Sequence, residues 1–168
     1  IHKELLKGNF VTTQSIVTRK ECFEKSGMFD ESLPRLQDWE LVIRLSKYYD
    51  FKCVDEPLLI SYYQPYSISA NRKALVRALE LILEKHFEDL KKDKKLLSRH
   101  YFGIGVSLCS NGDFKNGRDY LIKAVKAYPL NIKLLLLTFI SLLGQGMYNE
   151  VVASYRIVRS VAKHVAKK

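Results

Sequence analysis

Hydrophobic and polar positions follow two regimes along this chain. Up to about residue 70 the pattern changes type every ten residues or so. "FVTTQSIVTR" (10–19) is rich in Val, Ile and Thr and reads as a strand. "KECFEKSG" (20–27) reads as a short helix closed by Gly27, and "MFDESLPRL" as a loop marked by Asp30, Ser32 and Pro34. In "QDWELVIRL" (37–45) apolar residues stand at Trp39, Leu41, Val42, Ile43 and Leu45, so the spacing predicts a helix buried on more than one side. "FKCVDEPLLISYY" (51–63) returns to strand character, with Pro57 confining it to an edge or a break. From Asn71 onward Ala74, Leu75, Ala78, Leu79, Ile82, Leu83 and Phe87 keep helical spacing over 72–92, and the charged run "EDLKKDKK" ends the segment. The fold class expected is therefore α+β, predominantly α-helical, with a sheet too small to stand well alone.

A repeat follows. Tyr101, Gly105, Leu108, Gly112, Phe114 and Leu121 have counterparts 34 residues on, at Leu135, Phe139, Leu142, Gly146, Tyr148 and Tyr155. That period, with Gly117, Leu121, Ala124 and Pro129 at small, large, small and proline positions, makes 98–131 resemble a tetratricopeptide repeat. Small residues there let two antiparallel helices approach closely. In the second unit, 132–165, Phe139 replaces the small residue, which is expected to push its helices apart. Two such units are fewer than stacks of this kind need, so they are expected to pack on the helix at 72–92.

Composition adds limits. A chain of 168 residues, 47% hydrophobic and 27% charged, is that of a folded protein. Cys22, Cys53 and Cys109 form no CxxC pair and read as reduced, cytosolic, mostly buried thiols. The longest apolar stretch, 134–144, is about half of the roughly 20 residues of a membrane span and reads as a core helix. The first residue, Ile1, runs straight into structured sequence, which suggests a boundary inside a longer protein. His2, His86, His100 and His164 fit no triad and read as surface or interface residues. Charge is uneven: residues 1–70 carry 9 basic and 10 acidic side chains, residues 71–168 carry 19 and 8. The lysines around 91–95 are interrupted by Asp93 and lack interleaved aromatics, so nucleic acid is not an expected partner. A peripheral contact with anionic membrane stays open.

Asp38 has two readings. As an N-cap its carboxylate would accept orphaned backbone N–H bonds, worth about 1 kcal/mol. As a general base it would take a proton from a substrate hydroxyl. Here the neighbouring motifs matter. "SGMFDESL" (26–33), "QDWELVIRL" (37–45) and Pro57-Leu58 with "SYYQPYSIS" (61–69), in this order and spacing, resemble the acceptor-side half of family 2 glycosyltransferases of the GT-A fold.

The resemblance implies residues 1–70 as the C-terminal, acceptor-side part of a GT-A domain with a partial mixed sheet. Residues 71–97 follow as a connecting helix and 98–168 as an antiparallel array of two tetratricopeptide-like hairpins. It implies inverting sugar transfer with Asp38 as general base, Trp39 as a wall for a sugar ring or simply a core residue, and Glu40 as a hydroxyl-binding or solvated acid. Gln37 stands where the family has an acid, and Gln64 where relatives have a histidine. Tyr63 is a further candidate for phosphate or sugar. The family's donor half carries an Asp-x-Asp motif holding Mg²⁺ or Mn²⁺ on the diphosphate, and no Asp-x-Asp occurs in these 168 residues. The chain alone is thus expected to be inactive and to bind no metal. In the whole enzyme a nucleotide-sugar donor and a glycan or lipid-linked acceptor are implied, in the cytoplasm or at the inner face of the membrane. The competing expectation is a non-enzymatic helical-repeat module that holds a protein partner or a second copy.

Overall fold

The computed structural model describes residues 1–60, 62, 71–148, 150 and 151, and every structural element among them is helical. The chain divides into two compact units, Ile1–His100 and Tyr101–Lys168.

The first unit contains α1 (His2–Lys7), a single 3₁₀ turn (Thr13–Ser15), α2 (Glu21–Ser26), α3 (Gln37–Leu45), α4 (Arg72–Lys85), α5 (Phe87–Leu90) and the first turns of α6 (Lys94–Ser110). The apolar pattern of α3 places it at the centre: Trp39, Leu41, Val42, Ile43 and Leu45 are all buried. α1 contributes Leu5 and Leu6, the loop before α3 contributes Leu33, and α4 contributes Val76, Ala78, Ile82 and Leu83. α2 ends at Gly27, whose φ of 76° is a conformation that glycine adopts without penalty. Asn71 caps α4, its side-chain oxygen accepting from the Ala74 amide at 3.0 Å. The helix expected over 72–92 is broken at His86, after which α5 makes one turn.

No strand occurs among the described residues, so the expected α+β class and GT-A mixed sheet are overturned. Across 10–19 the backbone is extended at Thr12 and Ile16, but the 3₁₀ turn lies between them. There Ser15 Oγ accepts from the Thr12 amide at 3.0 Å and donates to the Thr12 carbonyl at 2.8 Å. The Ser15 hydroxyl thus satisfies locally the Thr12 groups that a ladder would have used. Residues 51–60 form no regular element, and Val54, Leu58, Leu59 and Ile60 are exposed. Their β-branched and apolar character is a preference for packing against a neighbouring strand, and no such neighbour is present among the described residues.

The second unit is built from the remainder of α6, α7 (Phe114–Ala127), α8 (Ile132–Leu142) and a further helical turn at 145–148. Three residues join α6 to α7, with Gly112 at φ 89° and Asp113 capping α7 through the Asn116 amide at 3.2 Å. The two helices run antiparallel and approach closely at glycines. A Cβ on Gly105 would lie 2.9 Å from the Gly117 carbonyl oxygen, and one on Gly117 would lie 2.4 Å from Cys109 Sγ. Cys109, Phe114, Leu121, Ala124, Leu134 and Tyr148 form the core. Phe114 and Tyr148, one repeat period apart, meet edge to face at 5.6 Å. The expected separation of helices in 132–165 involves residues outside the described ones; Phe139 itself is 60% exposed.

Candidate functional site

The loop before α3 is tied down residue by residue. Asp30 accepts from the Ser32 amide at 2.9 Å, its carbonyl accepts from the Leu33 amide at 3.2 Å, and Leu33 is fully buried. Gln37 Nε2 donates to the Leu33 carbonyl at 2.8 Å. Between them Leu36 takes φ 63°, ψ 25°, a left-handed conformation that costs a branched side chain of order 1 kcal/mol.

Leu36, not Asp38, is therefore the residue at the cap. Asp38 is the second residue of α3 and half-buried; its Oδ1 accepts from the Trp39 amide at 2.7 Å, and its Oδ2 lies 3.4 Å from the Thr13 hydroxyl. The carboxylate still satisfies one amide of the first turn, but from inside the helix. Gln37 is exposed beside it.

The other two first-turn candidates point inward. Trp39 is 4% exposed, its indole N–H donates to the Leu5 carbonyl at 2.7 Å, and its ring lies parallel to His100 at 6.0 Å. Of its two readings, this placement is the core one. Glu40 is fully buried, so it is neither a solvated acid nor within reach of an outside hydroxyl. Arg44 Nε lies 2.8 and 2.9 Å from its two oxygens, His86 Nε2 lies 3.4 Å away and Lys85 Nζ 3.9 Å. Burial pushes the Glu40 carboxyl up. His86 and Arg44, with Lys85 behind them, outweigh that and hold it below its ordinary range. Tyr63 and Gln64 lie outside the described residues.

Arg44 and Lys85 do more than neutralise Glu40. Arg44 donates through Nη1 to the Ser26 carbonyl and through Nη2 to the Met28 carbonyl at 2.7 Å. Lys85 also pairs with Asp30, whose carboxyl it and Ser32 hold down at about 2. The two segments "SGMFDESL" and "QDWELVIRL" are thus one structural piece, joined by cations. Sequence reading missed this network. Its one visible trace is the i, i+4 spacing of Glu40 and Arg44.

Two histidines expected at a surface or interface are inside the first unit. His100, whose Nε2 lies 2.7 Å from the Leu6 carbonyl, is held below its ordinary range by burial. His86 is 3% exposed, with no aligned hydrogen-bond partner on either ring nitrogen. Of the cysteines, Cys53 is exposed, Cys22 intermediate and Cys109 buried. Among the described residues no three His, Cys, Asp or Glu side chains converge as a metal-ligand set. No described helix is long and apolar enough to cross a membrane. Comparison with family models, with curated proteins and with solved structures finds no match for the chain.

Chemically, the site is one ionisable carboxylate at a helix start. It opens to solvent on a helix whose other faces are locked in the core.

Proposed function

We propose that Asp38 is the general base of a sugar transfer, and that this chain supplies the acceptor side of an inverting glycosyltransferase. The observation that carries the reading is the setting of the carboxylate: half-buried, fixed by the Trp39 amide, and the outer acid of a helix that is buried from Trp39 to Ile43. A base must be ionised and within hydrogen-bond reach of the hydroxyl it deprotonates. An acceptor hydroxyl donates to Asp38; as its oxygen bonds to the anomeric carbon, the proton passes to the carboxylate. The bond to the nucleoside diphosphate breaks on the opposite face, and Asp38 then releases its proton to water. Gln37, exposed beside Asp38, is assigned to the same acceptor.

Donor binding, and the Mg²⁺ or Mn²⁺ that accompanies it, require residues outside this sequence. The reading assigns them to further polypeptide. Exposed Val17, Val54, Leu58, Ile60 and Tyr62 supply apolar surface for that polypeptide to cover. The cytoplasmic face of a membrane is the location that suits a nucleotide-sugar donor and a lipid-linked acceptor.

In the complete protein, screened with a panel of nucleotide sugars, Asp38→Asn is expected to reduce transfer by about 10²–10⁴-fold. The fold should be retained, because asparagine can still accept from the Trp39 amide. Transfer that stays within a few-fold of the unsubstituted protein sinks the assignment, as does the absence of transfer from every donor.

A further inference from the structure

α8 is apolar on both faces: Leu134 lies in the core of the second unit, and Leu137 and Ile140 pack against it. Its inward face carries Leu134, Thr138 and Ser141 at 3%, 7% and 0% exposure, two of them hydroxyl residues. The Thr138 hydroxyl is buried without a hydrogen-bond partner among the described residues. Its outward face carries Ile132, Leu135, Leu136, Phe139, Leu142 and Leu143, each 40–71% exposed. Their i, i+3, i+4, i+7 spacing makes one continuous apolar stripe. Large side chains left in water while a hydroxyl is left unpaired in the core mark a face shaped by something other than its own fold.

Charge points to the occupant. From residue 120 to residue 149 the sequence contains no acid and three lysines, and Lys123 and Lys126 are exposed at the end of α7 that turns into α8. From residue 101 to the end the sequence holds ten basic and three acidic residues, a net +7. Two such faces would repel one another, which disfavours a second copy of the chain. The six stripe side chains offer no hydrogen-bonding group, whereas protein interfaces carry about one hydrogen bond per 100–200 Å². An apolar stripe without polar direction, in a segment that carries lysine and no acid, suits hydrocarbon beneath an anionic headgroup layer. At 11 residues α8 is about 16 Å long, too short to cross a bilayer and suited to lying along it.

We propose that the outer face of α8 docks on an anionic lipid surface, with the stripe from Ile132 to Leu143 in the acyl boundary and Lys123 and Lys126 at the headgroups. This inference is independent of Asp38. The test is flotation of the full chain with vesicles of phosphatidylcholine, with and without one-third phosphatidylserine, at low and high salt. Binding to the phosphatidylserine vesicles is expected, with a loss of at least about tenfold for Phe139→Asp or Leu136→Asp. Lys126→Glu, which leaves the apolar face alone, should reduce only the binding that depends on phosphatidylserine. Failure to float with excess phosphatidylserine vesicles overturns the proposal, and so does flotation that the Asp variants leave unchanged. If instead the chain is dimeric by light scattering and Phe139→Asp makes it monomeric, the face is an interface between copies. If Phe139→Asp lowers the melting temperature in the absence of lipid, the face is already covered within the chain. Either result overturns the proposal too.

Discussion

Glu40 shows how much of α3's position depends on one residue that looks ordinary in the sequence. It is a first-turn acid, the commonest kind of helix residue, yet it is fully buried and meets Arg44, Lys85 and His86. Removing one partner of a buried pair leaves the others uncompensated, at a cost of about 3–5 kcal/mol. Glu40→Gln is therefore expected to lower the stability of the first unit by about 3 kcal/mol, read as a shift in urea midpoint by the emission of Trp39, the only tryptophan. A loss below about 1 kcal/mol would mean that the cations find other partners, and that Glu40 does not anchor the site. Asp38 was legible as a candidate because an acid before an apolar helix is a local pattern. Glu40 was not, because its partners come from residues 4, 45 and 46 positions away, and only the fold brings them together. Its inward direction does follow from α3 being buried all round, a signal already present in the apolar residues on either side of it.

At the scale of elements, helices were legible and extended segments were misread, for a common reason. A helix closes its hydrogen bonds within itself, so the periodicity of α3, α4 and α7 is sufficient. A strand needs a partner, and Val, Ile and Thr in 10–19 state a preference without supplying one. The hairpin of α6 and α7 allows a sharper test, because its glycines differ in what surrounds them. A Cβ on Gly103 would meet nothing within 4 Å, so Gly103→Ala should gain the helical preference of alanine, about 1 kcal/mol. A Cβ on Gly117 would come within 3.0 Å of two backbone atoms, the Cys109 nitrogen and the Gly105 oxygen, as well as striking Cys109 Sγ. Gly117→Ala should then cost about 1–3 kcal/mol, because backbone must shift. Thermal melts followed by helical circular dichroism decide it. Equal shifts of the two variants would show that helical propensity, not close approach, governs both positions.

At the scale of the whole molecule, the first unit carries a set of groups that makes it sensitive to acid. In Ile1–His100 several groups are held away from their ordinary protonation by burial or pairing. Burial keeps His2 and His100 below their usual value of 6.5. As pH falls below that value the unfolded chain takes up protons that the folded one resists, and stability drops. Asp89, paired first with Lys47 and then with Lys92, is held at about 2, as Asp30 is by Lys85. Their contribution is complete above the ordinary carboxylate value of 3.8 and is lost as pH falls from there towards 2. Glu40 acts in the same direction. In Tyr101–Lys168 burial pushes the Cys109 thiol up, and acid leaves it neutral. Each unit thus carries its own reporter, Trp39 in the first and Cys109 in the second. Between pH 6.5 and 2 the emission of Trp39 is expected to shift to the red in two steps, while Cys109 stays slow towards dithiodipyridine. Asp89→Asn should flatten the lower step and leave the upper one in place. Exposure of Cys109 at the same pH as the first shift of Trp39 would mean that acid acts on the chain as a whole, and that the titrating groups of the first unit do not set where it fails.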